Sequence, residues 1–425
     1  MNKKTLFLLL LLTILLLVGC VANLPILMLA VVGIVCVSLL FFNLTDATCI
    51  LMYFSPLSYI LVYNQYNIYI LIAVAYMAVI MLKRKNPMGI ITSVFLMSYC
   101  ICFANFNAPL NIGRFIYPIL LMLLVFVCQF APKKDYKLFF YYFLIGFVVS
   151  AIIGFFKNRI PLIQSVLVSD ELYIGGVETS MSIIRYSGLS YDPNFFALID
   201  CVLIAVLLFS ETRMNLSKLI IVNFLIVVGF FTFSKSYVIL LCIIGVLFVL
   251  KNNKKLFKTS FITLIAVCCL LLVEKYSNIK LLSLIEARFA SANSANDLTT
   301  GRLDLWVKYM EYILSNIKCL LVGDGFNTLS LGKAVHKTYI DFLYRFGILG
   351  TMLWWGYFVL CNGFVKKIGG KKASFNVAGF VFLLGIFFLS AFHFQQLWCC
   401  IFLIMISPYL NGEENEKIKC GSSDI

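Results

Sequence analysis

The chain has 425 residues, of which 62% are hydrophobic and only 12% charged, with a formal net charge of +15. A water-soluble domain of this length is nearer half apolar and a quarter charged, so a soluble globule is excluded and a bilayer is the expected solvent. The positive charge does not read as nucleic-acid binding, because the basic residues sit in short clusters between apolar runs rather than on a module with interleaved aromatics.

Continuous apolar runs of about 15–20 residues predict helices rather than a barrel, since every backbone polar group must be bonded within the bilayer. In chain order the expected spans are 5–22, 26–42, 47–63, 68–82, 88–104, 115–131, 138–156, 194–210, 218–232, 236–250, 259–273, 345–364, 374–392 and 396–411. That is about fourteen transmembrane helices in an all-α integral membrane fold. The first run, after Lys3 and Lys4, ends Leu17-Val18-Gly19-Cys20 and resembles a processing site, yet it is read as an uncleaved helix. Orientation follows the clusters Lys83-Arg84-Lys85, Lys133-Lys134, Arg213 with Lys218, Lys251 through Lys258, and Lys366-Lys367 with Lys371-Lys372. They alternate with connections nearly free of positive charge, which puts both termini in the cytoplasm.

The expected organisation is N-terminal spans over 1–156, a first long outer loop over 157–193, and central spans over 194–273. A large outer loop over 274–344, C-terminal spans over 345–411 and a cytoplasmic tail over 412–425 follow. Long segments of this kind are uncommon unless functional. The second carries an amphipathic helix that Thr300 can cap, with Arg302, Trp306, Met310 and Ile313 on one stripe; Trp306, Tyr309 and Tyr312 suit a headgroup layer. Most cysteines fall in apolar runs and read as small hydrophobes, and Cys319 lies in the large loop without an obvious partner. No zinc ligand set, DxD pair, Walker motif, HExxH or GxSxG occurs, so no metal and no cofactor is expected.

Chemistry-bearing residues are few. His336 and His393 are the only histidines, both on the expected outer side. His336, in Val335-His336-Lys337-Thr338-Tyr339-Ile340-Asp341, suits a base that removes a hydroxyl proton, against the plain reading of a solvated interfacial histidine. His393, in a short turn, reads as structural. Arg185 opens Arg185-Tyr186-Ser187-Gly188-Leu189-Ser190-Tyr191-Asp192-Pro193-Asn194, Arg302 sits in Thr300-Gly301-Arg302, and Arg345 stands at the entrance of the twelfth span. A single arginine there anchors a helix to lipid phosphate; with Arg185, Arg302 and His336 all flanking helix ends on one face, a bidentate pyrophosphate grip reads equally well. Asp200, two turns below Asp192, is an ionisable group within a span and is expected to face the bundle interior, binding substrate hydroxyls or pairing with an arginine. Gly323-Asp324-Gly325 reads as a plain turn rather than a phosphate loop.

The segment Arg185–Asn194, Thr300-Gly301-Arg302 with Leu305-Trp306, Gly323-Asp324-Gly325, and His336 through Phe346-Gly347-Ile348-Leu349-Gly350 occur in an order that resembles the bacterial O-antigen polymerase and O-antigen ligase superfamily (Wzy-type and ligase-type membrane proteins). The specific resemblance covers roughly the second half of the chain, and Lys337 departs from the asparagine frequent after the family's histidine. The resemblance implies a GT-C-type glycosyltransferase using a sugar chain on undecaprenyl pyrophosphate as donor and a lipid-linked glycan as acceptor, with membrane lipids and a chain-length regulator as further partners. It implies pyrophosphate binding by Arg185 and Arg302 and a base or acceptor-orienting role for His336. Arg345, Asp192, Asn194, Asp200 and Tyr339 complete the candidate substrate-binding set. The expected activity is polymerisation of lipid-linked repeat units. The alternatives are a ligase moving finished polymer and, from another class, a lipid-linked oligosaccharide flippase; a flippase needs deep charges rather than a long outer loop.

Overall fold

The computed structural model describes residues 3–63, 66–83, 116–167, 171–174, 181–209, 216–251, 302–325, 335, 337–369, 376–389 and 395–410, the side chains of 3, 116–118, 165–166, 171–174 and 181–184 excepted. The expected spans 88–104 and 259–273, the loop residues 274–301, both histidines and the tail after 410 lie outside the described residues.

The described chain is mostly helical: α1 Lys3–Val21, α2 Pro25–Phe41, α3 Leu44–Phe54, α4 Tyr69–Lys83, α5 Ile116–Phe130, α6 Tyr136–Gly154, α7 Pro161–Val166, α8 Pro193–Phe209, α9 Leu216–Phe230, α10 Lys235–Lys251, α11 Arg302–Ser315, α12 Ile317–Val322, α13 Thr338–Gly369, α14 Val377–Gly385 and α15 Leu397–Ile406. Among the described residues three segments, Lys4–Val21, Lys133–Gly154 and Thr338–Gly369, are helices long and apolar enough to cross a membrane; several shorter apolar helices accompany them. α1 shows the solvent it is built for. Leu9, Leu12, Leu16 and Cys20 are buried against the protein, while Phe7, Leu10, Ile14 and Val18 repeat along the opposite, exposed stripe. A helix apolar on both faces has no stable place in water.

Helix starts follow ordinary capping chemistry. Asn43 accepts from the Asp46 amide (2.8 Å), Asn376 from Gly379 (3.0 Å) and Asn316 from Cys319 (3.2 Å). Helices then meet where small residues allow it. α3 packs on α6, and a Cβ added at Gly146 would lie 2.2 Å from the Tyr53 carbonyl oxygen. Gly146→Leu is therefore expected to cost about 1–3 kcal/mol by overpacking and to lower the melting midpoint in detergent, whereas Gly245→Leu, facing open space, leaves it unchanged.

The structure differs from several sequence expectations. The third expected span is a shorter helix that ends at Phe54, continues as a 3-10 turn over Ser55–Leu57, and gives way to a small hairpin, Val62–Tyr63 (β1) against Tyr66–Asn67 (β2); Pro56 ends it. The first long loop is not purely irregular or helical. It contains a second antiparallel hairpin, Glu171–Ile174 (β3) with Met181–Ile184 (β4). The twelfth expected span begins earlier, at Thr338, and the thirteenth is a helix of nine residues followed by turns.

α13 is two helical segments joined at Gly347, where φ is 62° and ψ −171°. α12 ends against this break, and the two backbones interlock. A Cβ on Gly323 would lie 2.2 Å from the Arg345 carbonyl oxygen, and one on Gly347 would lie 2.4 Å from the Leu321 carbonyl carbon. Tyr344 and Arg345 carbonyls, which would otherwise bond four residues onward across the break, accept from Asp324 N (2.8 Å) and Gly325 N (3.0 Å). The Gly323-Asp324-Gly325 segment is a turn, and its amides complete another helix. Asp324 also accepts from the hydroxyls of Tyr344 (3.1 Å) and Tyr312 (3.3 Å). Trp306, Tyr309, Ile313, Cys319, Val335, Ile340 and Tyr344 form a small core joining α11 and α12 to the first segment of α13.

Candidate functional site

The 185–194 segment is held as a shaped loop before α8. Gly188 has φ +56°, a value that suits glycine, and packs so closely on Gly154 that a Cβ there would lie 2.4 Å from its Cα. Tyr186 donates from its hydroxyl to the Ala151 carbonyl, stacks on Phe155 at 4.7 Å and meets Phe196 edge-on at 5.4 Å. Asp192 and Pro193 then start α8 in the usual way, the carboxylate accepting from the Asn194 amide at 2.6 Å and its side-chain nitrogen at 2.9 Å.

Arg185 is buried. Its Nε donates to the Thr232 carbonyl (2.9 Å) and its Nη2 to Asn194 Oδ1 (3.0 Å), which also accepts from Ser234 Oγ (2.9 Å). The guanidinium is thus fixed between the start of α8 and the turn joining α9 to α10. Arg302, first residue of α11, donates from Nη1 to the Phe388 carbonyl at 2.9 Å. Burial pulls its pKa below the ordinary arginine value, Asp192 opposes that shift and Arg185 adds to it. Those two influences place Arg185, Asp192 and Arg302 in one electrostatic neighbourhood, although more than a hundred positions separate the arginines in sequence. Each guanidinium is held by the fold, Arg185 through Thr232 and Asn194 and Arg302 through the Phe388 carbonyl.

His336 lies outside the described residues, but its neighbours on both sides do not. The Val335 carbonyl accepts from Trp306 Nε1 (2.9 Å), on the helix that Arg302 begins. Lys337 places its ammonium 4.4 Å from the centre of the Trp306 ring and 3.9 Å from that of Phe387. Thr338 donates from its amide to the Ile386 carbonyl (3.3 Å) and from its hydroxyl to Leu389. The chain on both sides of His336 is therefore bound to α11 or to the 386–389 turn that receives Arg302. Trp306→Phe keeps a ring and removes one buried donor, at a cost of about 1 kcal/mol. The expected result is a melting midpoint in detergent lowered by a few degrees, with the protein still present in the membrane.

The remaining candidates do not join this cluster. Arg345 lies two turns inside the first segment of α13 and pairs with Asp341 at 2.6 Å. Tyr339 donates to the Leu383 carbonyl (3.0 Å), along the α13–α14 contact. Asp200 is fully buried, as its position in a span predicts. Neither carboxylate oxygen has a hydrogen-bond partner among the described residues, and the Tyr237 hydroxyl acts on it electrostatically in place of an arginine. Trp306 and Tyr309 are buried in the small core rather than facing headgroups. Cys319 is a free, buried thiol directed at the Tyr344 carbonyl.

Two cations carry no mark of this site in the sequence. Lys157 is buried and donates to Ser187 Oγ at 3.0 Å; in sequence it is one more charge at the end of an apolar run. Lys337 looks only like a departure from a motif. Its neighbours Trp306 and Phe387 come from distant elements, so no local signal identifies it. Among the described residues no group of three or more His, Cys, Asp or Glu could hold a metal ion. Compared with family models, curated proteins and solved structures, the chain matches none of them.

Proposed function

We propose that this protein polymerises undecaprenyl-pyrophosphate-linked oligosaccharide repeat units on the outer face of the cytoplasmic membrane. The product is an O-antigen, capsular or exopolysaccharide, and the architecture a GT-C-type bundle of about fourteen spans with both termini in the cytoplasm. What supports this reading is that Arg185 and Asp192 both act electrostatically on Arg302, and that both flanks of His336 are tied to the elements that hold Arg302.

In this reading the acceptor hydroxyl attacks the anomeric carbon of the donor sugar. The bond from that carbon to the pyrophosphate oxygen breaks, and the lipid pyrophosphate leaves with the electron pair. Arg185 and Arg302 stabilise the negative charge that grows on it. His336 takes the hydroxyl proton, or orients that hydroxyl. Attack opposite the leaving group inverts the anomeric centre. No nucleotide is required, because the donor is already activated.

The test is the lipid-linked glycan pool of a strain lacking the protein. A polymerase leaves single repeat units on lipid, exposed outside. Long polymer on lipid would indicate a ligase, and single units confined to the cytoplasmic side a flippase; either result rejects the proposal.

A further inference from the structure

The end of α6 and the turn after it hold the 185–194 loop at each residue from Tyr186 to Leu189. Ser150 Oγ accepts from the Leu189 amide (3.3 Å), and the Ala151 carbonyl accepts from the Tyr186 hydroxyl. Gly154 lies against Gly188, so that a Cβ on it would fall 2.4 Å from the Gly188 Cα. These three share one face of α6. Lys157, in the 3-10 turn Lys157–Arg159 that follows, adds the bond from its ammonium to Ser187 Oγ at 3.0 Å. The opposite side of the loop is tied to the turn between α9 and α10. There the Tyr186 amide donates to the Phe231 carbonyl (3.0 Å) and Arg185 Nε to that of Thr232 (2.9 Å). Arg185 therefore stands between two clamps.

Three of the α6 contacts need no charge. They use a hydroxyl, a carbonyl and the absence of a side chain. The fourth places an ammonium where it is only 5% exposed, against a serine that a neutral donor could serve. Taking an ammonium out of water is costly. What it adds at that cost is a charge-assisted hydrogen bond, roughly twice as strong as a neutral one, two residues from Arg185. The place is one where a strong tie matters. Ser187 precedes Gly188, whose φ of +56° is left-handed, and glycine restricts the chain least of all residues. Without ties on both of its neighbours the loop could pivot there.

We propose that Lys157 is a positioning residue: its bond to Ser187 fixes the loop at Gly188 and so holds Arg185 where a pyrophosphate would meet it. Lys157 acts through Ser187 and Arg185 rather than on substrate. The task given to Arg185 rests on the proposed function; the tie between Lys157 and the loop stands on the geometry alone.

The experiment follows amide hydrogen exchange in the whole purified protein in detergent, and measures chain extension of a lipid-linked repeat unit by the same preparations. The Tyr186, Leu189 and Ser190 amides all donate within the fold, so the wild-type loop should exchange slowly. Lys157→Met should raise exchange across 186–190 at least tenfold. It should leave α8 and the melting midpoint unchanged, since an apolar side chain of similar volume commonly replaces a buried ion without loss of stability. Chain extension should fall about tenfold to a hundredfold, the scale of a small misplacement of a reacting partner. Ser187→Ala should reproduce both effects, and it reads the same tie should Lys157→Met fail to fold. The double variant should be no worse than either single one, and Lys157→Arg should restore most of the protection. Arg159→Ala, which removes an exposed cation of the same turn, should match the wild type. Unchanged exchange across 186–190 in Lys157→Met or Ser187→Ala, or additive losses in the double variant, would overturn the proposal. A lowered melting midpoint with no local rise in exchange would also overturn it, because that marks a general structural role. Full chain extension from a loosened loop would do the same. A loosened loop in variants of a protein whose wild type makes no polymer would reject the polymerase reading and leave the tie standing.

Discussion

Arg302→Ala is expected to abolish polymer while leaving the protein at its normal level in the membrane. The side chain donates to the fold at the Phe388 carbonyl and sits in the field of Arg185 and Asp192. α11 is held independently by the burial of Trp306, Tyr309 and Ile313, so truncation at its first residue should not release it. Removing one preorganised donor from the developing charge of a leaving group costs roughly 100- to 1000-fold in rate. Arg302→Lys keeps the charge, loses the fork and should retain a few per cent. His336→Ala should match Arg302→Ala, since loss of a general base costs roughly 100- to 10,000-fold. All three variants should accumulate single repeat units on lipid, measured by mass spectrometry of extracted lipid-linked glycans. Full-length polymer from Arg302→Ala and His336→Ala would remove the mechanism.

Gly347→Ala and Gly323→Ala are expected to fail at the level of folding, in contrast. Both glycines adopt a backbone conformation, φ 62° with ψ −171° and φ 84° with ψ 172°, that is essentially restricted to glycine. Each faces backbone of the opposing element at 2.2–2.5 Å, and backbone has no rotamer by which to yield. Conformational strain of about 1–3 kcal/mol is thus joined by separation of α12 from α13. That separation would leave the Tyr344 and Arg345 carbonyls and the Asp324 and Gly325 amides without partners. Membrane levels should fall several-fold and the melting midpoint in detergent should drop. Gly356→Ala, in the same helix with nothing near its added carbon, should match the wild type on both measures.

Much of this architecture is legible in local sequence, and what is not has physical causes. Apolar run length and the charge between runs mark most of the helices, because the free energy of transfer into a bilayer is written into composition, though a local breaker such as Pro56 still ends the third expected span early. Asp200 reads from sequence as buried in a span, and it is, but its surroundings are not legible there; pairing with an arginine is a tertiary fact, and the structure sets Tyr237 beside it. The amphipathic period of α11 is visible while its direction is not. A stripe with Trp306 and Tyr309 suits a headgroup layer and a second protein layer equally well, and the inward choice is made by Val335, Tyr344 and Cys319 from elsewhere in the chain. Hydropathy starts the twelfth span at 345 while the helix itself starts at Thr338, because its first turns are more polar than a span; Asp341 and Arg345 pair one turn apart within them. Lys337 carries no signal at all, since its two aromatic neighbours come from α11 and from the turn after α14.

The most direct measurement is reconstitution of the purified protein in vesicles containing only a lipid-linked repeat unit, without nucleotide and with a chelator present. The account predicts a ladder of longer lipid-linked glycans from the wild type, unaffected by the chelator, and single units alone from Arg302→Ala and His336→Ala. No ladder from a folded wild-type protein given its own repeat unit, or an equal ladder from the two variants, would contradict it.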